Sequence, residues 1–146
     1  MRQCARKFGI VGGNGMKQKE LDIILENHGK WLRVEGGERA NLSCANLRNA
    51  NLRNANLTNA DLSDANLNWT NWQDVRGLTV VSVQVDTSRK NNQIAYIKEL
   101  DIWTTGCFQG TLDELKASVE QTHKANEKLR KRYYRVIDFI LKEVAE

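Results

Sequence analysis

The sequence predicts an α+β protein in which a short coil of five-residue units follows one capping helix and precedes a β-hairpin plus two α-helices. Three observations lead to this fold class. Asn is concentrated in one segment, since ten of the fifteen Asn residues lie between Asn41 and Asn71. Helical spacing of apolar residues precedes that segment, and strand alternation with two further helical patterns follows it. A compositional bias this local is typical of an internal repeat.

The Asn-rich segment divides into five-residue units of the form Ala-Asn-Leu-x-x. The third place of six units is Leu, at Leu42, Leu47, Leu52, Leu57, Leu62 and Leu67, and Trp72 takes that place in a degenerate seventh unit. The first places are Ala40, Ala45, Ala50, Ala55, Ala60 and Ala65. A period of five fits neither a helix nor a strand. The pattern therefore predicts a coil that turns a corner every five residues, with Leu at its centre, Ala beside it, and Asn or Asp bonding the backbone at corners.

These units resemble the pentapeptide-repeat family, whose A-[DN]-L-x-x units build a right-handed quadrilateral β-helix with four units per coil. The resemblance implies a β-helix over residues 38–76 with fewer than two coils. A solenoid this short needs caps, because a coil buries its flat ends only against a neighbour. We expect the flanking segments to supply them.

The segment before the repeat predicts an N-terminal capping helix over residues 16–35. Four apolar residues and one histidine share a helical face, namely Leu21, Ile24, Leu25, His28 and Leu32. Gly36 and Gly37 then break the helix before the first unit. Residues 1–15 are basic and Gly-rich without periodicity, so they predict a disordered extension or an upstream start before the domain proper at Met16.

The segment after the repeat, residues 77–146, predicts a separate module. Val81, Val83 and Val85 alternate as in a strand. The apolar stretches 94–97 and 100–103 give one or two more strands, so a hairpin results. Thr111 and its third following residue, Glu, match a capping box for a helix through about residue 123. A last helix from about residue 126 to the end has apolar residues at i, i+4, i+7 and i+8.

The stretch Gly106-Cys-Phe-Gln-Gly-Thr-Leu-Asp-Glu114 is similar to the joint that follows the repeats in many short pentapeptide-repeat proteins of bacteriophages and prophages. With the capping helix and the repeat, this resemblance covers roughly residues 16–146. It implies a phage or prophage protein. Larger relatives in the family include topoisomerase-binding proteins that imitate DNA, so modulation of a topoisomerase or another DNA enzyme is an alternative function.

The charge of the repeat weighs against duplex mimicry. The repeat carries Arg48 and Arg53 against Asp61, Asp64 and Asp74, which leaves it nearly neutral. A mimic needs a long, strongly negative surface, because duplex DNA carries one charge per about 1.7 Å. The predicted coil is also too short for this role.

Basic residues in the last helix raise a third possibility, a basic nucleic-acid-binding protein, in keeping with the formal net charge of +4. These residues are Lys128, Arg130, Lys131, Arg132 and Arg135. Glu127, Asp138 and Glu143 interrupt the basic character, so a solvated helix face is the simpler interpretation. Together with Arg48 and Arg53, the five basic residues form the candidate interaction surface for a protein partner.

Reactive side chains do not converge in the sequence in a way that predicts an enzyme. Cys107 with His28 or His123 is the one conceivable pair of nucleophile and base. A cysteine at a strand-to-helix joint is expected to be buried packing, since free cysteine is among the most buried residue types. The histidines and cysteines also lack the spacing of metal ligands. We therefore predict a noncatalytic protein with no catalytic residues, no cofactor and no metal.

The sequence as a whole favours a noncatalytic protein-interaction module of phage or prophage type. Its partner would be a host or phage protein, or a second copy of the chain, bound through the rigid repeat and the helical surfaces. Direct nucleic-acid binding is disfavoured. The sequence has no apolar run of roughly 18 to 20 residues and no apolar region after its basic start, so we expect neither a membrane span nor a secretory signal. The predicted location is the cytoplasm, that of the host if the protein is phage-encoded.

Overall fold

The computed structural model describes residues 15–85 and 93–145. By contacts the chain divides into two compact units, Met1–Leu78 and Thr79–Glu146. The predicted disordered extension falls outside the described residues, apart from Gly15.

The coil of the first unit rises by one layer every twenty residues. Its parallel bridges join Asn41 to Asp61, Asn46 to Asn66, Asn51 to Asn71 and Asn56 to Arg76. Each bridged pair is therefore four five-residue units apart, and the stacked layers form a β-helix. The last bridge carries the ladder one unit beyond the degenerate seventh unit, to Arg76. The hand of the coil stays a prediction.

Leucine side chains fill the inside of the coil. All six repeat leucines are at most 2% exposed, and Trp72 in the seventh unit is 6% exposed. Four of the six repeat alanines are buried, whereas Ala55 and Ala60 are half-buried. Full burial of one leucine stabilises a fold by about 1.5–3 kcal/mol, so this column is the main apolar contribution of the coil.

Helix α1, Gln18–Leu32, precedes the coil and turns its predicted inner face inward, with Leu21 and His28 fully buried. Gly36 and Gly37 follow it with φ of 87° and 75°. A Cβ atom at Gly37 would overlap the carbonyl oxygen of Asn27. The predicted helix break is formed, and it requires glycine at that position.

The second unit contains a sheet of four strands, one more than the largest sheet that the sequence predicted. Strands β1 to β4 are Val80–Gln84, Gln93–Ile97, Ile102–Thr105 and Phe108–Gly110, all antiparallel and in sequential order. The apolar run 94–103, predicted to give one or two strands, contributes to two, which Asp101 separates with a left-handed φ of 50°. Gly106, with φ of 52°, then turns β3 into β4. Each turn depends on a single residue, so no periodic pattern in the sequence marks it.

Helix α2, Leu112–Thr122, begins with the predicted capping box. The Thr111 hydroxyl accepts the Glu114 N–H at 3.3 Å, and the Glu114 carboxylate accepts the Thr111 N–H at 2.9 Å. The backbone bond from Thr111 is the main reason why the pKa of Glu114 is lowered. Helix α3, Glu127–Val144, starts at the predicted Asn126, whose side chain accepts the Leu129 N–H.

The core of the second unit lies between the sheet and the two helices. The buried members are Val85, Ile94, Tyr96, Trp103, Leu115, Val119, Tyr133, Ile137 and Ile140. Trp103 is its largest fully buried side chain, and its ring lies 4.5 Å from that of Tyr96, centroid to centroid.

Candidate functional site

The second residue of each repeat unit fixes a corner of the coil. The Oδ1 atom of Asn41 accepts the N–H of Ser43 at 3.2 Å. The same bond to the residue two positions on recurs in the six following units at 2.9 to 3.2 Å, from Asn46, Asn51, Asn56, Asp61, Asn66 and Asn71. This is the Asx turn, which explains why these seven units have Asn or Asp at the second place.

The last residue of each unit forms a second column with a left-handed backbone. Its φ values lie between 59° and 64°, at Cys44, Asn49, Asn54, Asn59, Asp64, Trp69 and Asp74. Asn and Asp tolerate this conformation better than other residues with a Cβ atom. Five of these seven residues are Asn or Asp, so the second Asn column has a backbone cause as well.

Polar groups of the N-terminal flank pair with the outer edge of the first coil layer. The Met16 N–H donates to the Asn46 oxygen at 2.8 Å. The Gln18 side chain both accepts the Asn51 N–H and donates to the Asn51 oxygen, each at 2.9 Å. One layer later, the Asn66 oxygen accepts the Leu47 N–H instead. Met16 and Gln18 thus bond first-layer backbone groups whose counterparts in the second layer are bonded by the layer before them.

The buried His28 completes this edge. Its Nδ1 atom lies 3.0 Å from the Ala40 nitrogen, and its Nε2 atom lies 2.9 Å from the Thr58 oxygen. Because a backbone N–H can only donate, Nδ1 is the acceptor, and Nε2 carries the proton that it donates to Thr58. Both ring nitrogens are therefore used structurally, and His28 belongs to the first unit whereas Cys107 belongs to the second.

This geometry describes a repeat with five-residue units, one apolar centre and two kinds of corner. Residues 40–71 match the family of pentapeptide repeats. The match comprises eight copies. No curated protein and no solved structure matches the chain significantly.

The pentapeptide-repeat match spans a minor part of the chain and concerns the coil alone. It supports a β-helix there and does not extend to residues 77–146. Proteins with these repeats are generally noncatalytic structural or interaction modules.

The two repeat arginines of the candidate surface differ in their surroundings. The Arg48 guanidinium stacks on the Trp69 ring, with its carbon 4.2 Å from the ring centroid. Arg53 is exposed, and its side chain makes no hydrogen bond or ion pair with any described residue. Arg53 is thus the more available of the two for a partner.

Three of the five basic residues in α3 bind groups of their own unit. Arg130 donates to the carbonyl oxygens of His123 and Lys124 at 3.1 and 2.7 Å. Arg132 donates to the Val85 oxygen at 3.0 Å. Lys131 lies 3.2 Å from the Glu127 carboxylate one helical turn away.

The other two basic residues, Lys128 and Arg135, are exposed and lie two turns apart on α3. Their side chains have no hydrogen bond or ion pair within the part of the chain that the structure describes. Phe139, four residues after Arg135, is 50% exposed. The available part of this helix face is therefore smaller than the sequence predicted.

The expectation that Cys107 is buried is wrong. Cys107 is a free, exposed cysteine in the turn between β3 and β4. It lines a cleft of about 450 Å³ together with His123, Ser118 and Tyr133. The His123 ring stacks on the Tyr133 ring with centroids 4.9 Å apart. Cys107 and His123 are thus brought to one cleft, a placement that depends on the unpredicted fourth strand.

Among residues 15–85 and 93–145, no group of three or more His, Cys, Asp or Glu residues is arranged to hold a metal ion. In the same residues, no helix combines the length and the apolar character that crossing a membrane requires.

Charged residues beside α1 form a feature that the sequence analysis missed. Arg33 and Arg76 line a cleft between α1 and the coil together with Arg53. Arg76 stands in the Asn place of an eighth unit, so extending the five-residue register past Asp74 would have placed it on the coil. The sequence offered no comparable signal for Arg33.

Proposed function

We propose that this protein is a noncatalytic protein-interaction module of phage or prophage type. It binds a host or phage protein, or a second copy of itself, in the cytoplasm. Its coil is right-handed. The match to pentapeptide repeats supports the interaction role, because proteins with such repeats are generally interaction modules.

One observation carries the proposal. The exposed Arg53 side chain has no partner among the described residues, whereas its own backbone N–H and those of its two neighbours are all hydrogen-bonded. The Arg53 N–H is held by the Asn51 side chain at 2.9 Å. On either side of it, the N–H groups of Leu52 and Asn54 donate to the next layer, both at 3.0 Å. A side chain on such a frame loses little backbone entropy when a partner binds, which favours specific recognition.

The nucleic-acid alternative receives less support from the structure of α3. Arg130 and Arg132 are engaged with carbonyl oxygens of their own unit, so neutralising phosphates would require breaking those bonds. The alternative of a DNA-mimicking enzyme modulator meets a size limit, because two layers at about 4.8 Å spacing reach only about 10 Å. No described feature favours either function over protein interaction.

The experiment is affinity capture with the tagged full chain from a lysate of the organism that encodes it. Capture by wild type is compared with capture by Arg53→Glu and by the matched control Arg48→Glu. We expect one or more proteins to be retained by wild type and by Arg48→Glu but lost with Arg53→Glu. Retention of the same proteins by all three variants would contradict a role for the repeat surface.

Two further measurements separate the alternatives. Titration with duplex DNA at rising salt should show no tight, steeply salt-dependent binding if the partner is a protein. A supercoiling assay with a topoisomerase should be unaffected by the protein at large molar excess. Dose-dependent inhibition in that assay would replace the proposed function with DNA-enzyme modulation.

A further inference from the structure

A cleft of about 600 Å³ lies between α1 and one side of the coil. We call it the helix–coil cleft and define it by its charged lining residues, Asp22, Glu26 and Arg33 from the helix side and Arg53 and Arg76 from the coil. Its volume is within the range of about 300 to 1,000 Å³ that small-molecule sites occupy. All five residues belong to the same compact unit.

The coil wall of the cleft is positively charged. Arg76 uses one N–H for the Asn54 carbonyl oxygen at 3.2 Å, which leaves its other donors available. Arg53 uses none of its side-chain donors within the described residues. A guanidinium has five N–H donors in a planar fork, which matches the geometry of a carboxylate or phosphate. Two such groups on one wall can therefore hold an anionic group.

The helix side of the cleft carries two carboxylates one turn apart, Asp22 and Glu26, while Arg33 on the same side is paired with Glu35 at 3.0 Å. Asp22 accepts a hydrogen bond from the Gln18 side chain at 2.8 Å. Glu26 has only a long contact of 4.0 Å with Lys30. Neither carboxylate forms an ion pair with Arg53 or Arg76, although all four line the same cleft. Opposite charges thus face a common space without neutralising one another.

The two walls are held in place relative to each other. The Gln18 side chain bonds both backbone groups of Asn51, which ties the start of α1 to the coil. At the other end of the helix, the Arg33 side chain lies against Gly29, and a Cβ atom there would be 3.1 Å from its Nη1 atom. Gly29 thus leaves room for the Arg33 side chain beside the helix.

We propose that the helix–coil cleft binds a small zwitterion, whose carboxylate or phosphate contacts Arg53 and Arg76 and whose ammonium group contacts Asp22 and Glu26. The ligand would complete two charge pairs that the protein leaves open. A plain anion would complete only one pair and would approach the two carboxylates at a cost. The cleft therefore prefers a ligand with both charges over one with either charge alone.

This inference does not depend on the proposed function, because it is tested with the purified chain and without a protein partner. Loss of partner capture would leave the cleft unaffected, and absence of ligand binding would leave the interaction role unaffected. The two proposals can therefore fail separately.

The test is a calorimetric or NMR titration of the full chain at low salt, where charge pairing is least screened. The probes are 4-aminobutyrate and 6-aminohexanoate, compared with hexanoate and hexylammonium. We expect saturable binding of at least one zwitterion, about tenfold tighter than binding of either singly charged probe. Equal affinity for hexanoate, or no saturable binding of any probe, would overturn the proposal.

Variants assign the binding to the cleft. Arg53→Gln should weaken zwitterion binding about tenfold, whereas Arg48→Gln, the same change one repeat unit earlier and outside the cleft, should not. Asp22→Asn combined with Glu26→Gln should abolish the preference for the zwitterion over hexanoate. Inorganic phosphate and acetate, titrated separately, distinguish which anion the arginines favour. Unchanged amide spectra outside the cleft show that the variants fold, and wild-type affinity in folded Arg53→Gln would contradict the assignment.

Discussion

The coil and the second unit bury their apolar side chains in opposite ways. In the coil, six of the seven units repeat one buried leucine and all seven repeat one Asx turn, and the N–H groups of four of these leucines donate to the next layer. In the second unit, nine different buried residues from strands and helices meet in a single cluster. The coil thus depends on repetition, and the second unit depends on contacts that occur once.

This difference determines how damage should spread. A repeat layer interacts with its neighbours, so the stability of a solenoid is close to a sum of local terms. A single cluster is shared by all elements around it, so removal of one central side chain weakens them together. The following predictions test this contrast, from the largest expected effect to the smallest.

Removing the central tryptophan of the second unit should have the largest effect. Trp103 is 1% exposed, and its ring packs against that of Tyr96 in a tilted arrangement with centroids 4.5 Å apart. Trp103→Ala should lower the free energy of unfolding of that unit by about 3–5 kcal/mol, through lost burial and a cavity. Urea titration with amide exchange measures both the size of the loss and its distribution over the strands and α3.

The matched control is Phe139→Ala in the same unit, where the ring is 50% exposed. We expect its effect to stay within about 0.5–1 kcal/mol, as for most surface changes. If Trp103→Ala raised exchange in β3 alone and left α3 protected, the view of one shared cluster would be wrong.

Breaking the link between α1 and the coil should be the next largest effect. His28→Leu leaves the Ala40 N–H and the Thr58 oxygen without their partners, at a cost of about 1–3 kcal/mol for each buried group. The Ala40 amide should then exchange much faster, whereas layers away from α1 keep their protection. Lys19→Leu, an exposed change on the same helix, serves as control.

An Ala40 amide that stays protected in His28→Leu would mean that another acceptor replaces the ring. A uniform loss of protection through the second layer would show instead that the coil behaves as one cooperative body. Either result would change the description of the coil as a sum of local terms.

The sequence predicts the coil well because each of its causes is repeated. A single Asn-Leu pair carries little information, but the same pair every five residues excludes both helix and strand. The left-handed column is also visible, since Asn49, Asn54 and Asn59 already mark it. The capping box of Thr111 was predictable for another reason, because both of its bonds lie within four residues.

The parts that the sequence did not predict rest on contacts made once and at long range. Strand β4 and the exposure of Cys107 both depend on the turn after β3, where Gly106 has φ of 52°. The bonds from His28 reach residues 12 and 30 positions away, and no pattern announces them. No sequence pattern indicates that Arg33 lines the helix–coil cleft either.

A change at one corner tests whether the repeated backbone conformation has the expected cost. Asn49 is exposed and has φ of 63°. Asn49→Val should lower the free energy of unfolding by about 1–2 kcal/mol, because a β-branched side chain clashes in the left-handed region. Asn49→Gly, which removes the clash, should stay near wild type in the same thermal or urea titration. Equal losses for Val and Gly would show that the asparagine side chain itself, and not the left-handed backbone, determines the cost.

The smallest expected effect is a dependence on alkaline pH that comes from the second unit alone. Burial, followed by the hydrogen bond that Tyr96 donates to Asp101 at 2.8 Å, raises the pKa of Tyr96 to about 12. In the unfolded chain the tyrosine ionises near its ordinary value of about 10, so the unfolded state releases its proton first. The stabilising contribution is therefore complete below pH 10 and is lost as pH rises toward 12. Tyr96→Phe should be less stable at neutral pH but should lose less stability over that interval, and parallel curves for the two proteins would contradict this assignment.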